Sequence, residues 1–363
     1  MLKESVIKRD ERALLALRSL YKSFGYQPFK MSKFEEYDLY VSNKDFLVSD
    51  RVITFNDTDG KLLALKPDVT LSIIKNANNG NFDKHKVYYN ENVYRVSATT
   101  GQFKEIMQAG LECIGDIDIL DVFEVVSLAA ESLKTVSEDY VLDISHMGIV
   151  TAILADASQN SDFIKRAGSL IAEKNIHEIK ALCEQYSIAD DAAEKLASIV
   201  GMYGERASVL KRLKPLCTTK ELEIAYLELE LLDNLLSDVD PEGRVHFDFS
   251  VVNNMKYYNG IVFKGFISGI CDGVLAGGEY DNLLYSMKQD KRGIGFALYL
   301  DLVAELDSSA DEYDVDVLLL YSESTDPKDI VKSKKELTES GKTVYSASII
   351  PEKIRYKQLI KVN

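Results

Sequence analysis

Hydrophobic and polar positions follow two different patterns along this 363-residue chain. Residues 10–24 carry apolar side chains at helical spacing, residues 25–40 read as an extended run, and short β-rich runs continue to residue 146. Residues from about 150 to 236 contain no convincing strand and have helical spacing. The strand pattern returns at residue 244. The sequence therefore predicts a strand-rich core that is interrupted by a mostly helical insertion.

Hairpins connect several of the predicted strands. Residues 51–57 and 61–67 flank a turn sequence that ends at Gly60, and residues 86–96 and 105–116 are two longer β-rich runs joined by a polar loop. Hairpins with helices between them are typical of an antiparallel α+β fold and not of a doubly wound parallel sheet. Because no Gly-rich phosphate loop follows a strand, we do not expect a Rossmann or P-loop nucleotide site.

The last part of the chain is predicted to be a small separate unit. Residues 307–314 form a short acidic linker, which is the best domain boundary in the sequence. A strand, a helix that ends at Gly341, and a second strand follow it. We therefore predict a core domain over residues 1–306 and a short C-terminal α/β domain over residues 314–363.

Composition limits the classes of protein to which this chain can belong. A hydrophobic content of 46% with 28% charged residues is typical of a soluble globular protein. No segment approaches the about 20 apolar residues that span a bilayer, and the first residues lack the apolar centre of a signal peptide. We therefore expect a cytoplasmic protein that does not bind membranes. The net charge of −15 disfavours nucleic acid, whose phosphates attract Lys and Arg, and mildly favours a protein partner.

Cysteine and histidine are too dispersed to predict a metal centre. The four cysteines form no CxxC pair and have no histidine at ligand spacing: Cys113, Cys183, Cys217 and Cys271. Free thiols in a reducing compartment are the expected state. His146 is predicted to be a packing or hydrogen-bonding residue and not a catalytic base. No cofactor is expected either.

Five short segments resemble the signature motifs of one protein family. They are LKPDVT at 65–70, VYR with GQFKEIMQAGLECIG within 93–115, KYYNGIVF at 256–263, LAGGEYDNLL at 275–284 and GFALYLDLV at 295–303. In this order and at these intervals they are similar to segments of histidyl-tRNA synthetases and their relatives, over about residues 5–305. The resemblance implies a class II aminoacyl-tRNA synthetase-like core, an antiparallel sheet flanked by helices, which dimerises through its N-terminal motif.

The resemblance also implies a pocket for histidine. The matching positions are Asp68, Thr70, Gln108, Glu112, Tyr258, Gly277 and Tyr280. Carboxylates accept hydrogen bonds from an α-ammonium or an imidazole N–H, and glutamine and tyrosine complete the set. Gly277 and Gly278 would allow the backbone to approach the ligand closely. Each residue also has a structural alternative: Asp68 as a helix cap and the tyrosines as core aromatics.

Departures from the family pattern fall on the groups that would hold phosphates. Arg95 keeps the arginine of the second motif and is a candidate anion-binding remnant. The family's other arginines fall on Gln102, Asn253 and Leu302, and its acidic residues on Ser97 and Lys256. Arginine suits phosphate because its planar fork stays charged. Since one preorganised donor contributes about 3–4 kcal/mol to a transition state, we expect adenylate formation to fail.

A synthetase-like core without these arginines resembles the regulatory subunits of short-form ATP phosphoribosyltransferases. The resemblance implies a non-catalytic role in the first step of histidine biosynthesis. It implies a catalytic-subunit partner, L-histidine as feedback effector, and homodimers within a hetero-octamer. The tail is shorter than an anticodon-binding domain and lacks interleaved basic and aromatic residues, so no RNA partner is expected. Two alternatives stay open: a divergent histidyl-tRNA synthetase, and another stand-alone paralogue that senses an amino acid.

Overall fold

The computed structural model describes residues 7–47, 51–77, 83–97, 100–252, 257–307 and 313–362. Residues 308–312 of the predicted linker lie outside the described residues. The chain divides into two compact units, Met1–Glu305 and Leu306–Asn363.

Strands and helices follow one another along the first unit, and most of them lie where the hydrophobic pattern predicts. Its strands are β1 (Gln27–Pro28), β2 (Phe34–Glu36), β3 (Thr54–Asn56), β4 (Leu62–Leu65), β5 (Lys84–Val96), β6 (Phe103–Gly115), β7 (Tyr140–His146), β8 (Tyr203–Gly204), β9 (Val245–Asp248), β10 (Ile261–Ile267), β11 (Leu275–Glu279) and β12 (Arg292–Tyr299). Its helices are α1 (Arg9–Ser23), α2 (Tyr37–Ser42), α3 (Thr70–Ala77), α4 (Ile119–Val136), α5 (Met147–Ala157), α6 (Ser161–Ala172), α7 (Ile176–Gln185), α8 (Asp190–Val200), α9 (Arg206–Leu213), α10 (Lys220–Leu236), α11 (Asp281–Ser286) and α12 (Leu300–Ala304).

One large sheet organises the first unit. Its strand order is β1-β5-β6-β12-β11-β10-β7-β9-β8. Neighbouring strands are antiparallel except for the pairs β1–β5 and β7–β9, which are parallel. The predicted antiparallel α+β core is therefore confirmed. Strands β5 and β6 form a long hairpin that pairs residue by residue from Lys84↔Gly115 to Val96↔Phe103. Side chains of both strands line the candidate site.

Helices α1 and α4 cover one face of this sheet. Tyr21 of α1 is almost completely buried there, and its hydroxyl lies 3.0 Å from the hydroxyl of Ser132 on α4. The Tyr21 ring meets the ring of Phe296 on β12 edge to face, with a centroid separation of 6.0 Å. This arrangement of aromatic rings is a favourable one. The two helices thus close one face of the sheet and leave the other face for a ligand.

A small second sheet packs beside the large one. Its order is β2-β4-β3, and β3 and β4 form the hairpin that the turn ending at Gly60 predicts. The extended prediction for residues 25–40 is wrong from Tyr37 onward, because α2 begins there. The helical turn directs both Tyr37 and Tyr40 into the apolar cluster around Ile73, and Tyr40 is fully buried. Packing thus overrides a locally extended pattern.

Residues 150–236 are helical, as predicted, with one small exception. Helices α5 to α10 follow one another, and the two-residue strand β8 pairs with β9 at the edge of the sheet. A buried arginine joins this insertion to the segment that follows it: Arg206 on α9 donates to Asp233 at 2.7 Å, to Asp240 at 2.5 Å and to the Val245 carbonyl of β9 at 2.7 Å. Two carboxylates and a carbonyl therefore surround one guanidinium group.

The second unit is a small parallel α/β fold. It contains β13 (Val315–Leu320), α13 (Pro327–Glu339), β14 (Val344–Ala347) and β15 (Tyr356–Lys361), with the sheet order β14-β13-β15. The sequence pattern does not predict β15, in which lysines alternate irregularly with apolar residues. Its parallel pairing with β13, for example Leu318↔Leu359, places it in the sheet. Gly341 ends α13 in a left-handed conformation, with a φ of 91°.

We expect Arg206→Ala to lower the free energy of unfolding by about 3 kcal/mol, because it leaves two largely buried carboxylates without a counter-charge. The measurement is urea unfolding followed by circular dichroism. Lys211→Ala, an exposed change in the same helix, is the control and should change stability by less than about 0.5 kcal/mol. Equal stability of the two variants would contradict this role of Arg206.

Candidate ligand-binding site

A cavity of about 610 Å³ lies on the sheet face away from α1 and α4. Seven strands and helices contribute to its wall, and its polar lining includes acids, bases and tyrosines. The lining residues used below are Asp68, Thr70, Tyr89, Arg95, Lys104, Gln108, Glu112, Tyr257, Tyr258, Lys264, Asp272, Tyr280, Gly295, Tyr299, Asp301 and Leu302. The structure therefore brings together every predicted site residue except the glycines Gly277 and Gly278.

Strand β6 forms the floor of the cavity. Every second side chain of a β-strand points to the same face, so alternate residues of β6 face the cavity. Lys104, Ile106, Gln108 and Glu112 all line the cavity, whereas Leu111 points to the covered face and is fully buried. Gln108 and Glu112 are 3% and 2% exposed. The strand thus carries two polar side chains into the interior, where each needs a partner or a ligand.

Glu112 is held from both sides by hydroxyl groups. Thr70 donates to one carboxylate oxygen at 2.8 Å, and Tyr280 donates to the other at 2.5 Å. Gly295, directly opposite Glu112 on β12, leaves the room for this carboxylate: a Cβ there would lie 1.9 Å from the Glu112 Oε2 atom. This role of Gly295 is not predicted from the sequence. It depends on strand register, which the motif alone does not reveal.

The buried carboxyl of Glu112 retains its proton more readily than an ordinary glutamate. Burial raises its pKa to about 8, and the nearby charge of Asp68 acts in the same direction. The hydrogen bonds from Tyr280 and Thr70 oppose this effect. A cation that enters the cavity would stabilise the ionised form. The site therefore favours a ligand with a positively charged or N–H donor group.

Asp68 precedes α3 and has two roles. Its Oδ1 atom accepts the backbone N–H of Leu71 at 3.0 Å, so the predicted cap is present, and the side chain also lines the cavity. Burial raises its pKa, whereas the positive charge of Arg95 lowers it. Arg95 donates its Nε–H to the Pro67 carbonyl at 3.1 Å and faces the cavity. Asp68 can therefore cap α3 and contact a ligand in the cavity at the same time.

Neither glycine of the pair on β11 lines the cavity, so the expected close approach of their backbone to a ligand is not observed. Gly278 lies opposite Gly295, and a Cβ at Gly278 would lie 2.9 Å from the Tyr258 ring. Gly277 does not line the cavity: a Cβ there would lie 2.4 Å from the Gly295 carbonyl oxygen and 2.8 Å from the Phe263 ring. The small size of Gly277 allows adjacent strands to pack closely, and Gly278 leaves room for the ring of Tyr258.

The far end of the cavity carries an aliphatic side chain. Leu302 on α12 lines it and is partly exposed. Gln102 is exposed outside the lining, and Ser97 shapes the β5–β6 loop by donating its N–H to the Gln102 carbonyl at 2.8 Å. Asn253 and Lys256 lie outside the described residues. Of the described positions where the family has arginine, Arg95 alone keeps one at the cavity.

Several lining residues were not predicted from the sequence. Tyr89 and Tyr257 extend the aromatic wall, and Lys104 and Asp301 lie near each other at the end with Leu302. Lys264 reaches the cavity because it lies directly opposite Ala276. In the sequence, the one indication of this position was a single lysine within the otherwise apolar strand IVFKGFI. The remaining positions follow from register and packing.

A charged network joins the neighbours of Tyr280 to the helical insertion. Arg292 donates to Glu279 at 2.6 Å and to Asp281 at 3.3 Å. His146 accepts the Gly148 N–H on Nδ1 at 3.1 Å, so its Nε2 atom carries the proton toward Glu228 at 2.9 Å. This hydrogen bond lowers the pKa of Glu228. The predicted hydrogen-bonding role of His146 is confirmed, and it links β7 to α10.

All four cysteines are free. Within the described ranges, no group of three or more His, Cys, Asp or Glu side chains could hold a metal ion. A search of the same residues finds no helix with the length and apolar character to cross a membrane.

Fold and cavity together define a class II synthetase-like protein. The sequence pattern of histidyl-tRNA synthetases matches residues 2–303. The chain belongs to this histidyl-tRNA synthetase family, as its five motifs predict. A solved structure from Bacillus halodurans C, described as an ATP phosphoribosyltransferase regulatory subunit/histidyl-tRNA synthetase, has a TM-score of 0.76 at 22% identity, over 98% of this chain and 94% of that one.

Two relatives with curated names share one description. An ATP phosphoribosyltransferase regulatory subunit from Oceanobacillus iheyensis is 26% identical over 96% of this chain and 87% of its own length. One from Caldanaerobacter subterraneus subsp. tengcongensis is 31% identical over 79% of this chain and 75% of its length. A chain of the ATP phosphoribosyl transferase (HisG:HisZ) complex from Thermotoga maritima has a TM-score of 0.63 at 21% identity, over 80% and 97% of the two chains.

The raised pKa of Glu112 predicts how stability depends on pH. The unfolded chain releases this proton near pH 4.3, whereas the folded protein keeps it to about pH 8. Between these values the unfolded state binds fewer protons, so the free energy of unfolding falls as pH rises. Glu112→Gln removes this contribution. Relative to wild type, the variant should gain at least about 2 kcal/mol between pH 5 and pH 8 in urea titrations.

Glu184→Gln, an exposed substitution on α7, is the matched control and should follow the wild-type pH curve. If the curve of Glu112→Gln also runs parallel to wild type, Glu112 ionises in the folded protein as it does in water.

Proposed function

We propose that this chain is the non-catalytic regulatory subunit of a short-form ATP phosphoribosyltransferase, acting in the first step of L-histidine biosynthesis. The curated relatives that match most of its length support this proposal. The single structural observation that carries it is the asymmetry of the cavity. One end has the acidic and tyrosine groups suited to an amino acid, and the other end places Leu302 where the synthetase pattern has an arginine.

The proposed ligand of the acidic end is L-histidine. Asp68 and Glu112 supply acceptors for its α-ammonium group or imidazole N–H, while Tyr258 and Tyr280 enclose an aromatic ring. Gln108 can either donate or accept within the same wall. The ligand's α-carboxylate is an anion, and Arg95 is the arginine that lines this cavity. Arg95 is therefore proposed to hold an anionic group.

The proposed partner is the short catalytic chain. The Thermotoga maritima complex contains two kinds of chain, and this protein resembles one chain of that assembly. We propose homodimers of this protein within a hetero-octamer of regulatory and catalytic chains. The free cysteines fit a reducing compartment, so we place the assembly in the cytoplasm.

Feedback inhibition would follow from linked equilibria. If histidine binds one conformation of the regulatory chain more tightly, it shifts the population of the assembly toward that conformation. The coupling is reciprocal, so a catalytic chain that favours that conformation must raise the affinity for histidine. The pKa of Glu228 on α10 is lowered by its hydrogen bond to His146 and also by the charge of Arg292, which is bonded to Glu279 and Asp281 on either side of Tyr280. This electrostatic link is a physical connection along which such a preference could extend.

A histidine titration by calorimetry tests the proposed pocket. Wild type should bind L-histidine, and Asp68→Asn should bind about 10-fold to 100-fold more weakly, since it loses a charge-assisted hydrogen bond. This variant retains an oxygen acceptor for the Leu71 N–H, so α3 keeps its cap. Adding ATP should leave the titration unchanged, and histidine-dependent exchange of pyrophosphate into ATP should be absent.

Asp191→Ala, an exposed change at the start of α8, is the control and should bind histidine as wild type does. Wild-type affinity in Asp68→Asn would contradict the proposed pocket. Histidine-dependent pyrophosphate exchange would contradict the non-catalytic role and favour a divergent synthetase.

A further inference from the structure

Helix α10 presents an exposed row of aliphatic side chains. Ile224, Leu227 and Leu231 are 51%, 52% and 51% exposed, and they recur at i, i+3 and i+7, so they lie on one helical face. Leu229 and Leu232, on the other side of the helix, are fully buried. Single exposed leucines are ordinary on protein surfaces, but an aligned row is typical of a helix that receives another helix. We call these three side chains the α10 seam.

Acidic residues border the α10 seam on both sides. At 100° per residue, Glu223 and Glu230 lie along one edge, and Glu221 and Glu228 lie along the other. Lys220, the first residue, is the one basic residue in the helix. An apolar row with glutamate on both edges is complementary to an apolar ridge bordered by lysine and arginine.

This charge pattern also decides against a second copy as the occupant. Two α10 seams packed together would bring glutamates to both edges of one interface, where like charges are destabilising. A different protein with a basic border avoids this repulsion.

We propose that the α10 seam is the docking surface for the catalytic ATP phosphoribosyltransferase chain, which inserts against it an amphipathic helix with an aliphatic row and basic edges. This inference rests on the proposed function. The aliphatic row provides the buried centre of the interface, and the glutamates steer and orient the partner. Glu228, on one edge, is bonded to His146 at the end of β7, so the docking helix is connected to the sheet that carries the cavity.

Binding of the catalytic chain encoded in the same genome tests this assignment. Leu227→Glu and Leu231→Glu should each weaken the complex by at least about 10-fold in sedimentation velocity titrations, and the double variant should weaken it further. Glu223→Lys with Glu230→Lys should weaken binding most at low salt, where the lost attraction is least screened. Val331→Glu, an equally drastic change at a 66% exposed position on α13, is the control and should bind as wild type does.

Each variant is first compared with wild type in its circular dichroism, its melting temperature and its affinity for histidine, so that loss of fold is recognised separately. If the Leu227→Glu, Leu231→Glu double variant binds the catalytic chain as tightly as wild type does, the inference is overturned and the proposed function stays intact. If a seam variant changes the oligomeric mass of this protein in the absence of the catalytic chain, but keeps its affinity for the catalytic chain, the α10 seam is assigned to a second copy. No binding by wild type itself would contradict the proposed function.

Discussion

The buried carboxyl group of Glu112 is the constraint around which the site is arranged. Thr70 from α3 and Tyr280 from the end of β11 converge on it, and Gly295 on β12 leaves the space it occupies. These groups come from separate segments of the sequence, and the register of the large sheet places Glu112 opposite Gly295. Burying an acid without a counter-charge costs free energy, and the raised pKa of Glu112 expresses that cost. A cationic ligand would recover part of it, and this is why the cavity favours binding.

The same cavity has two ends of different chemistry. Asp68, Glu112 and the tyrosines form an end that can recognise an amino acid by hydrogen bonds. At the other end, Leu302 offers no charge to a phosphate, and Arg95 stands without the other arginines of the synthetase pattern at the described positions. Binding needs complementarity to a ground state, whereas ligation needs groups aimed at charge that develops in the transition state. The chain keeps the first property, which suits a protein that senses a ligand and passes the information to a partner.

Much of the fold could be predicted from the sequence, because β-strand alternation and helical spacing are local properties. The motifs also led to Asp68, Gln108, Glu112 and Tyr280 at one cavity. The exceptions depend on packing that a local pattern does not contain. Residues Tyr37–Ser42 are helical because Tyr40 is buried, and β15 is recognisable only through its pairing with β13. In α10, apolar residues occur on several sides, so the sequence could not tell the buried Leu229 from the exposed Leu227.

The most direct test of the central claim is the rate at which the short catalytic chain condenses ATP with phosphoribosyl pyrophosphate. It should be measured without this chain, with wild type, and with Asp68→Asn, each over a range of L-histidine concentrations. The account predicts that activity requires this chain, that histidine inhibits the wild-type assembly, and that the variant assembly stays active at histidine concentrations that inhibit wild type. Full activity of the catalytic chain alone, or equal inhibition of both assemblies by histidine, would contradict it.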